Sequence, residues 1–237
     1  MIGQTRGPLP SFYAGAMSGL ATLLPVTVAV AQCRGGDGPD GDLGLYPGEE
    51  AAVSRAVPAR RREFTVARSC ARQALRRLGA PAGAIGKGPA GEPQWPRGVV
   101  GSITHCAGYT AAAVAWRADL RTVGLDAEPN DALPDGVLGL TASADEIAHL
   151  DALAAADPRV QWGRLLFCAK ESVYKAWYPV QQRWLGFEDV DVRLSPDGSF
   201  RCRLLTPDAA AASFAECSGR WALDDGALLA AVSLPAG

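Results

Sequence analysis

Apolar residues recur at helical spacing between Phe64 and Leu78. Phe64, Ala67, Ala71, Ala74, Leu75 and Leu78 share one sector of a helical wheel, with Arg68 at its edge and Arg72 and Arg76 turning progressively outward. This pattern predicts helix over residues 49–78, broken near Pro58 and stopped at Gly79. A second apolar stripe, Trp162, Leu166, Ala169, Val173, Ala176 and Trp177, predicts a helix over residues 162–178, and a shorter one is expected over 143–155. Alternating patterns predict strands at 99–104, 110–117 and 122–128, joined by turns short enough for an antiparallel meander. Two hairpins follow, 190–194 with 199–205 around Pro196-Asp197-Gly198, and 219–223 with 227–234 around Asp224-Asp225-Gly226. The uncharged run 12–33 is read as a buried strand at 26–31 behind a loosely ordered extension, residues 1–16.

The chain thus shows a helix followed by an antiparallel meander twice. That is an α+β chain of two similar halves in pseudo-two-fold arrangement, each with helices packed on an antiparallel sheet and with the active site in the cleft between them. The expected division is 17–122 for an N-terminal half and 123–237 for a C-terminal half. Composition agrees with a globular chain: 237 residues, 48% hydrophobic and 20% charged, with a formal net charge of −2, which fits neither a disordered tail nor a basic nucleic-acid binder. The 27 Gly and 17 Pro call for long loops. Six scattered cysteines (Cys33, Cys70, Cys106, Cys168, Cys202, Cys217), with no CxxC pair and only His105 and His149 as imidazoles, indicate reduced thiols and no zinc site. Ala29-Val30-Ala31 resembles a signal-peptidase site, but Gly15, Gly19 and Pro25 interrupt the run before it and Arg6 is its only positive lead, so a cytoplasmic protein without a membrane span is expected. Gly86-Lys87-Gly88-Pro89-Ala90-Gly91 matches GxGxxG in letters only: no strand closely precedes it and Pro89 opposes the strand-to-helix turn.

Three segments carry candidate chemistry. In Val123-Gly124-Leu125-Asp126-Ala127-Glu128, alternation turns Asp126 and Glu128 to one face with Cα atoms ~7 Å apart. Paired carboxylates repel unless a cation is near, and an all-oxygen set favours Mg²⁺ or Mn²⁺; two solvated acids on an edge strand explain the segment equally well. On the helix over 162–178, Glu171 and Lys175 lie one turn apart beside Phe167 and Tyr178, on a side that is therefore covered as well. Lys87, Lys170 and Lys175 are the only lysines among 23 basic residues, and two of them flank Glu171. Gly101-Ser102-Ile103-Thr104-His105-Cys106 ends a strand in hydroxyls and a histidine, and Arg60, Arg61, Arg62 and Arg68 form either an anion site or a solvated basic helix face. A carboxylate trio, several cations and no hydride or redox motif point to phosphoryl or phosphodiester chemistry.

Gly91-Glu92-Pro93-Gln94-Trp95-Pro96, Val99 through Cys106, Val123 through Pro129 and Phe167-Cys168-Ala169-Lys170-Glu171-Ser172-Val173-Tyr174-Lys175-Ala176-Trp177, in that order, resemble the 4′-phosphopantetheinyl transferase family. The likeness is to the monomeric two-half Sfp/EntD type, nearest its actinobacterial PptT-like members, and it covers the chain from about residue 20 onward. It implies transfer of the 4′-phosphopantetheine arm of coenzyme A to a serine of acyl or peptidyl carrier proteins or domains of polyketide, fatty-acid or nonribosomal peptide synthases, with release of adenosine 3′,5′-bisphosphate. By the same resemblance Asp126, Glu128 and Glu171 hold Mg²⁺ (or Mn²⁺), Glu171 is the general base, and Lys175 holds the phosphate under attack. Thr104 and His105 contact the coenzyme A phosphates, and Arg60, Arg68 and Lys87 clamp its 3′-phosphate and adenine end. Glu92 stands where many members carry a basic residue, which implies backbone contact to phosphate there. A metal-dependent phosphodiesterase and a non-catalytic coenzyme A or carrier-protein binding module are the alternatives.

Overall fold

A computed structural model describes residues 19–35, 44–206 and 214–237, so the expected extension over 1–16 lies outside the described residues. The chain is α+β. One antiparallel sheet has the order β1 (Ala29–Arg34), β5 (Tyr109–Trp116), β4 (Val99–Cys106), and α1 (Pro58–Leu78) packs on its β1 and β5 strands. A second, five-stranded sheet has the order β6 (Leu120–Pro129), β10 (Ala227–Pro235), β9 (Glu216–Asp224), β8 (Ser199–Leu204), β7 (Val190–Leu194), and α4 (Trp162–Gln181) lies across β6 and β10. The short β2 (Gly86–Lys87) and β3 (Pro93–Gln94) pair within the glycine-rich loop, while α2 (Val137–Thr141) and α3 (Ala144–Ala156) precede α4.

Both expected hairpins form, and Asp225 and Gly226 sit at positive φ in the two-residue turn between β9 and β10, as that turn requires. The expected meander of three strands does not. β4 and β5 pair, but β6 leaves them to pair with β10, more than a hundred residues later, because its apolar face of Val123, Leu125 and Ala127 closes a core with Tyr109, Leu229 and Ala231. The expected boundary between residues 122 and 123 falls inside β6. The N-terminal apolar run also behaves differently: its strand starts at Ala29, Val26 is fully exposed, and Leu20, Leu23 and Leu24 enter the core from a 3₁₀ turn over Gly19–Leu23.

Two further expectations are corrected. Cys202 and Cys217 are directly opposed partners on β8 and β9, with Cα atoms 5.2 Å apart, and are joined by a disulfide; Cys33, Cys70, Cys106 and Cys168 stand outside any disulfide among the described residues. Their sequence separation of 15 concealed a register that only the β8–β9 pairing creates. Arg72 does not turn outward: it is fully buried, because residues 44–49 fold over that side of α1. Its Nη1 donates to both oxygens of the equally buried Glu49 (3.0 and 2.8 Å), Nη2 donates to the Gly44 carbonyl, and the guanidinium stacks on Tyr46. Glu49 also accepts the Tyr46 and Ile85 N–H groups, so one carboxylate ties α1 to two loops.

Removing one partner of such a pair strands a buried charge, at a cost of about 3–5 kcal/mol. Glu49→Ala is therefore expected to lower the urea unfolding free energy by about that amount, and a loss below ~1 kcal/mol would show that the pair is dispensable.

Candidate functional site

The site is built where α4 approaches β6. Gly124 makes the approach possible: a Cβ there would stand 2.0 Å from the Ser172 carbonyl oxygen and 2.6 Å from the Ala176 nitrogen. Thr122 Oγ1 donates to the Ala176 carbonyl on the same contact (2.8 Å). With the helix this close, Lys175 Nζ reaches Asp126 Oδ1 at 2.5 Å. Glu171, one turn earlier on α4, comes under the influence of the same carboxylate.

β4 joins from the other sheet through side chains. Ser102 Oγ accepts the Leu125 N–H (3.0 Å) and Thr104 Oγ1 donates to Asp126 Oδ1 (3.2 Å). Thr104 is thus buried against Asp126 and is not among the residues lining the cavity described below; its hydroxyl holds a carboxylate. Gly101 lets Trp95 lie flat on β4, since a Cβ there would meet the indole ring at 2.7 Å, and Trp95 Nε1 donates to the Gly101 carbonyl.

A cavity of about 440 Å³ opens between α1, the β2–β3 loop, the end of β4 and α4. Of the residues expected at the site, Arg60, Arg68, Lys87, His105, Glu171 and Lys175 line it, as does Tyr178, expected on the same helix side as Glu171; Phe64, Trp95 and Tyr174, to which no site role was given, line it too. Arg61 and Arg62 do not line it, and Arg61 pairs with Glu50. Glu92 reaches the cavity wall, where its carboxylate accepts the Ala90 N–H of its own loop.

The cations are oriented by the fold. Arg68 Nε donates to the Ile85 carbonyl (2.8 Å) and the guanidinium stacks 4.1 Å from the Phe64 ring centre. Burial lowers its pKa to about 10, opposed by Glu49 and assisted by Arg72 and Arg60, so it is a charged group at neutral pH. Arg60 Nη1 donates to His105 Nε2 (2.9 Å) and to Glu63 (3.1 Å), an arrangement that requires the Nδ1–H tautomer of His105. Burial first, and then the Arg60 charge, hold the imidazole below its ordinary value, which favours the neutral ring.

The acids are held in three different ways. Asp126 is buried with Oδ1 against Lys175 and Thr104, while Oδ2 is buried without a hydrogen-bond partner among the described residues. Glu128 pairs with Arg164 at 3.0 Å. Glu171 makes no hydrogen bond or ion pair among the described residues. Burial and then the Asp126 charge raise both Glu128 and Glu171 above the usual carboxylate value, with Arg164 opposing at Glu128 and Lys175 at Glu171. Burial alone would press Lys175 toward neutrality, but contact with Asp126, aided by Glu171, outweighs it and raises the ammonium pKa.

No group of three His, Cys, Asp or Glu among the described residues is disposed to hold a metal ion as it stands. The donor set nevertheless fits a hard cation: the Asp126 charge raises the pKa of both Glu128 and Glu171, and a buried carboxylate oxygen of Asp126 is left unbonded among the described residues. Lys170 takes no part. It is buried on the far side of α4, bonded to Glu146 (2.9 Å) and to the Thr141 and Phe187 carbonyls, so a lysine flanking Glu171 is a core residue. Arg164 was missed, although Arg164, Cys168, Glu171 and Lys175 are spaced four, three and four residues apart, the signature of one helix face.

Residues 48–115 match the family model described as the 4′-phosphopantetheinyl transferase N-terminal domain, and residues 122–232 match that of the 4′-phosphopantetheinyl transferase superfamily. The chain is 47% identical over 221 residues to 4′-phosphopantetheinyl transferase Svp of Streptomyces mobaraensis, covering 92% of this chain and 89% of that protein. It is 43% identical to Npt of Nocardia iowensis (90% of this chain, 99% of the relative) and 42% identical to PptT of Mycobacterium tuberculosis (91% and 97%), both also 4′-phosphopantetheinyl transferases. The chain, in which Glu171 lines this cavity with the cations while Asp126 and Glu128 stand behind its wall, therefore belongs to the 4′-phosphopantetheinyl transferase superfamily and is a transferase similar to its PptT-like members.

Proposed function

We propose that the enzyme moves the 4′-phosphopantetheine arm of coenzyme A to a serine hydroxyl of acyl or peptidyl carrier domains of polyketide, fatty-acid or nonribosomal peptide synthases, releasing adenosine 3′,5′-bisphosphate. The observation that carries the reading is the shared cavity. Arg60, Arg68, Lys87 and His105 line it from the segment 17–122, and Glu171 and Lys175 from 123–237, so binding cations and a candidate base face one space. We assign coenzyme A binding chiefly to the first segment and the acids to the second, as two related halves acting within one monomer. Among the described residues no helix is long and apolar enough to cross a membrane; action in the cytoplasm, without membrane or nucleic acid, is part of the proposal.

In this reading Arg60, Arg68 and Lys87 hold the 3′-phosphate and adenine end by charge-assisted contacts. Neutral His105, kept in one tautomer by Arg60, donates through Nδ1–H toward a phosphate oxygen. Lys175 carries its charge on the same wall as Glu171 and holds the phosphate under attack. Glu171, free of hydrogen-bond partners among the described residues and raised by burial, accepts the serine proton as the oxygen attacks phosphorus. Thr104 acts indirectly, by holding Asp126. Asp126, Glu128 and Glu171 would hold Mg²⁺ or Mn²⁺, which when bound neutralises charge on the pyrophosphate and the leaving bisphosphate.

Incubation of an apo carrier protein with the enzyme, coenzyme A and Mg²⁺ is expected to add one phosphopantetheine arm by intact mass, and EDTA is expected to stop it. Bisphosphate released without a carrier would favour a phosphodiesterase, and tight coenzyme A binding with no mass gain a binding module. Glu171→Gln and Asp126→Ala are each expected to slow the transfer on the order of 100-fold, and an unchanged rate in either would sink the mechanism. For His105, an NMR titration of the free enzyme is expected to find a midpoint below the ordinary 6.5. The unfolded chain then takes up the proton first, so this group's share of stability falls as pH drops through 6.5; a midpoint above 6.5 would contradict the neutral-donor role.

A further inference from the structure

Arg164 uses its guanidinium on three partners at once. Nη1 donates to Glu128 Oε2 (3.0 Å), Nε to the Asp131 carbonyl (3.2 Å) and Nη2 to the Ala132 carbonyl (2.8 Å). The pair is mostly shielded, with side-chain exposures of 16% and 20%, unlike a surface ion pair whose members hold no fixed geometry. A planar fork with three fixed acceptors cannot turn about one bond without losing the others, and a lysine cannot reproduce it. The carbonyls it grips belong to the segment that follows β6. That segment is clipped to the start of α4 a second time through Asn130, whose Oδ1 accepts the Gln161 N–H and whose Nδ2 donates to the Arg159 carbonyl, both at 2.8 Å. Among the described residues, Glu128 is the one of the three acids held by an arginine.

We infer that Arg164 is a positioning residue for Glu128: its fork fixes the carboxylate by Oε2 and so presents Oε1 as the oxygen that ligates the divalent cation. This rests on the proposal that Asp126, Glu128 and Glu171 hold that cation. Arg164 touches neither the cavity nor the reacting groups, so its effect on transfer runs through metal affinity, and outer-sphere partners of this kind are worth ~10–100-fold in metal affinity or activity.

The test is Mn²⁺ binding, followed by electron paramagnetic resonance with coenzyme A at saturation, together with the Mg²⁺ dependence of carrier labelling. Wild type is compared with Arg164→Gln, Arg164→Lys and Asn130→Ala, each first shown to be folded by circular dichroism. Arg164→Gln is expected to weaken Mn²⁺ binding and raise the Mg²⁺ requirement ~10–100-fold, with the KM for coenzyme A little changed. Arg164→Lys recovers only part of the loss, because one ammonium cannot span a carboxylate and two carbonyls. Asn130→Ala loosens the same segment and lowers the unfolding midpoint but leaves Mn²⁺ affinity near wild type. Wild-type Mn²⁺ affinity in Arg164→Gln, full rescue by lysine, or an equal loss in Asn130→Ala would overturn the inference. Failure of the wild type itself to bind Mn²⁺ would instead overturn the metal reading beneath it, and that result is visible without any variant.

Discussion

The close approach of α4 to β6 over Gly124 is the constraint on which the site depends. An acid and a base on different elements form a functional unit only when both backbones are near enough for short side chains to meet. Here, where even a methyl group on Gly124 would overlap the Ser172 carbonyl, Lys175 reaches Asp126 and Glu171 enters its field. The carboxylates that carry mutual repulsion are thus adjacent because of packing, and the repulsion is moderated from the edges by Lys175 and Arg164.

The three-stranded sheet is attached to this arrangement by hydroxyls. Ser102 accepts a main-chain N–H of β6 and Thr104 donates to Asp126, so β4 lies beside β6 while each pairs within its own sheet. The consequence is that His105, directly after Thr104, arrives at the cavity wall together with Arg60 of α1. Buried Glu49 and Arg72 hold α1 to its loops one turn along the helix from Arg68, and Glu49 grips the N–H of the same Ile85 whose carbonyl accepts from Arg68.

Much of this was legible in the sequence because it depends on local periodicity. The two apolar stripes gave α1 and α4, alternation gave Asp126 and Glu128 a common face, and turn residues gave the two hairpins. The features that were not legible depend on distant partners. Nothing near β6 announces that it pairs with β10, and Arg72 looks solvent-facing until residues 44–49 are folded over it. Cys202 and Cys217 become neighbours only through the β8–β9 register. The phosphate contact expected of Thr104 came from the family resemblance alone, and nothing local to it points to the partner its hydroxyl meets, Asp126, 22 residues away on β6. Lys170 and Lys175 look alike as neighbours of Glu171, and only the helix face separates a core ion pair from a cavity cation.

The most direct test of the account is Gly124→Ala, measured for carrier labelling, coenzyme A affinity and unfolding midpoint at a temperature well below that midpoint. The added methyl must push α4 away from β6, and displacement of reacting groups on the scale of an ångström costs on the order of 100-fold in rate. The account predicts a folded protein whose labelling falls by that order while coenzyme A affinity changes far less, since Arg60, Arg68 and Lys87 sit on the opposite wall. A folded Gly124→Ala enzyme with wild-type labelling would show that the site does not depend on this contact.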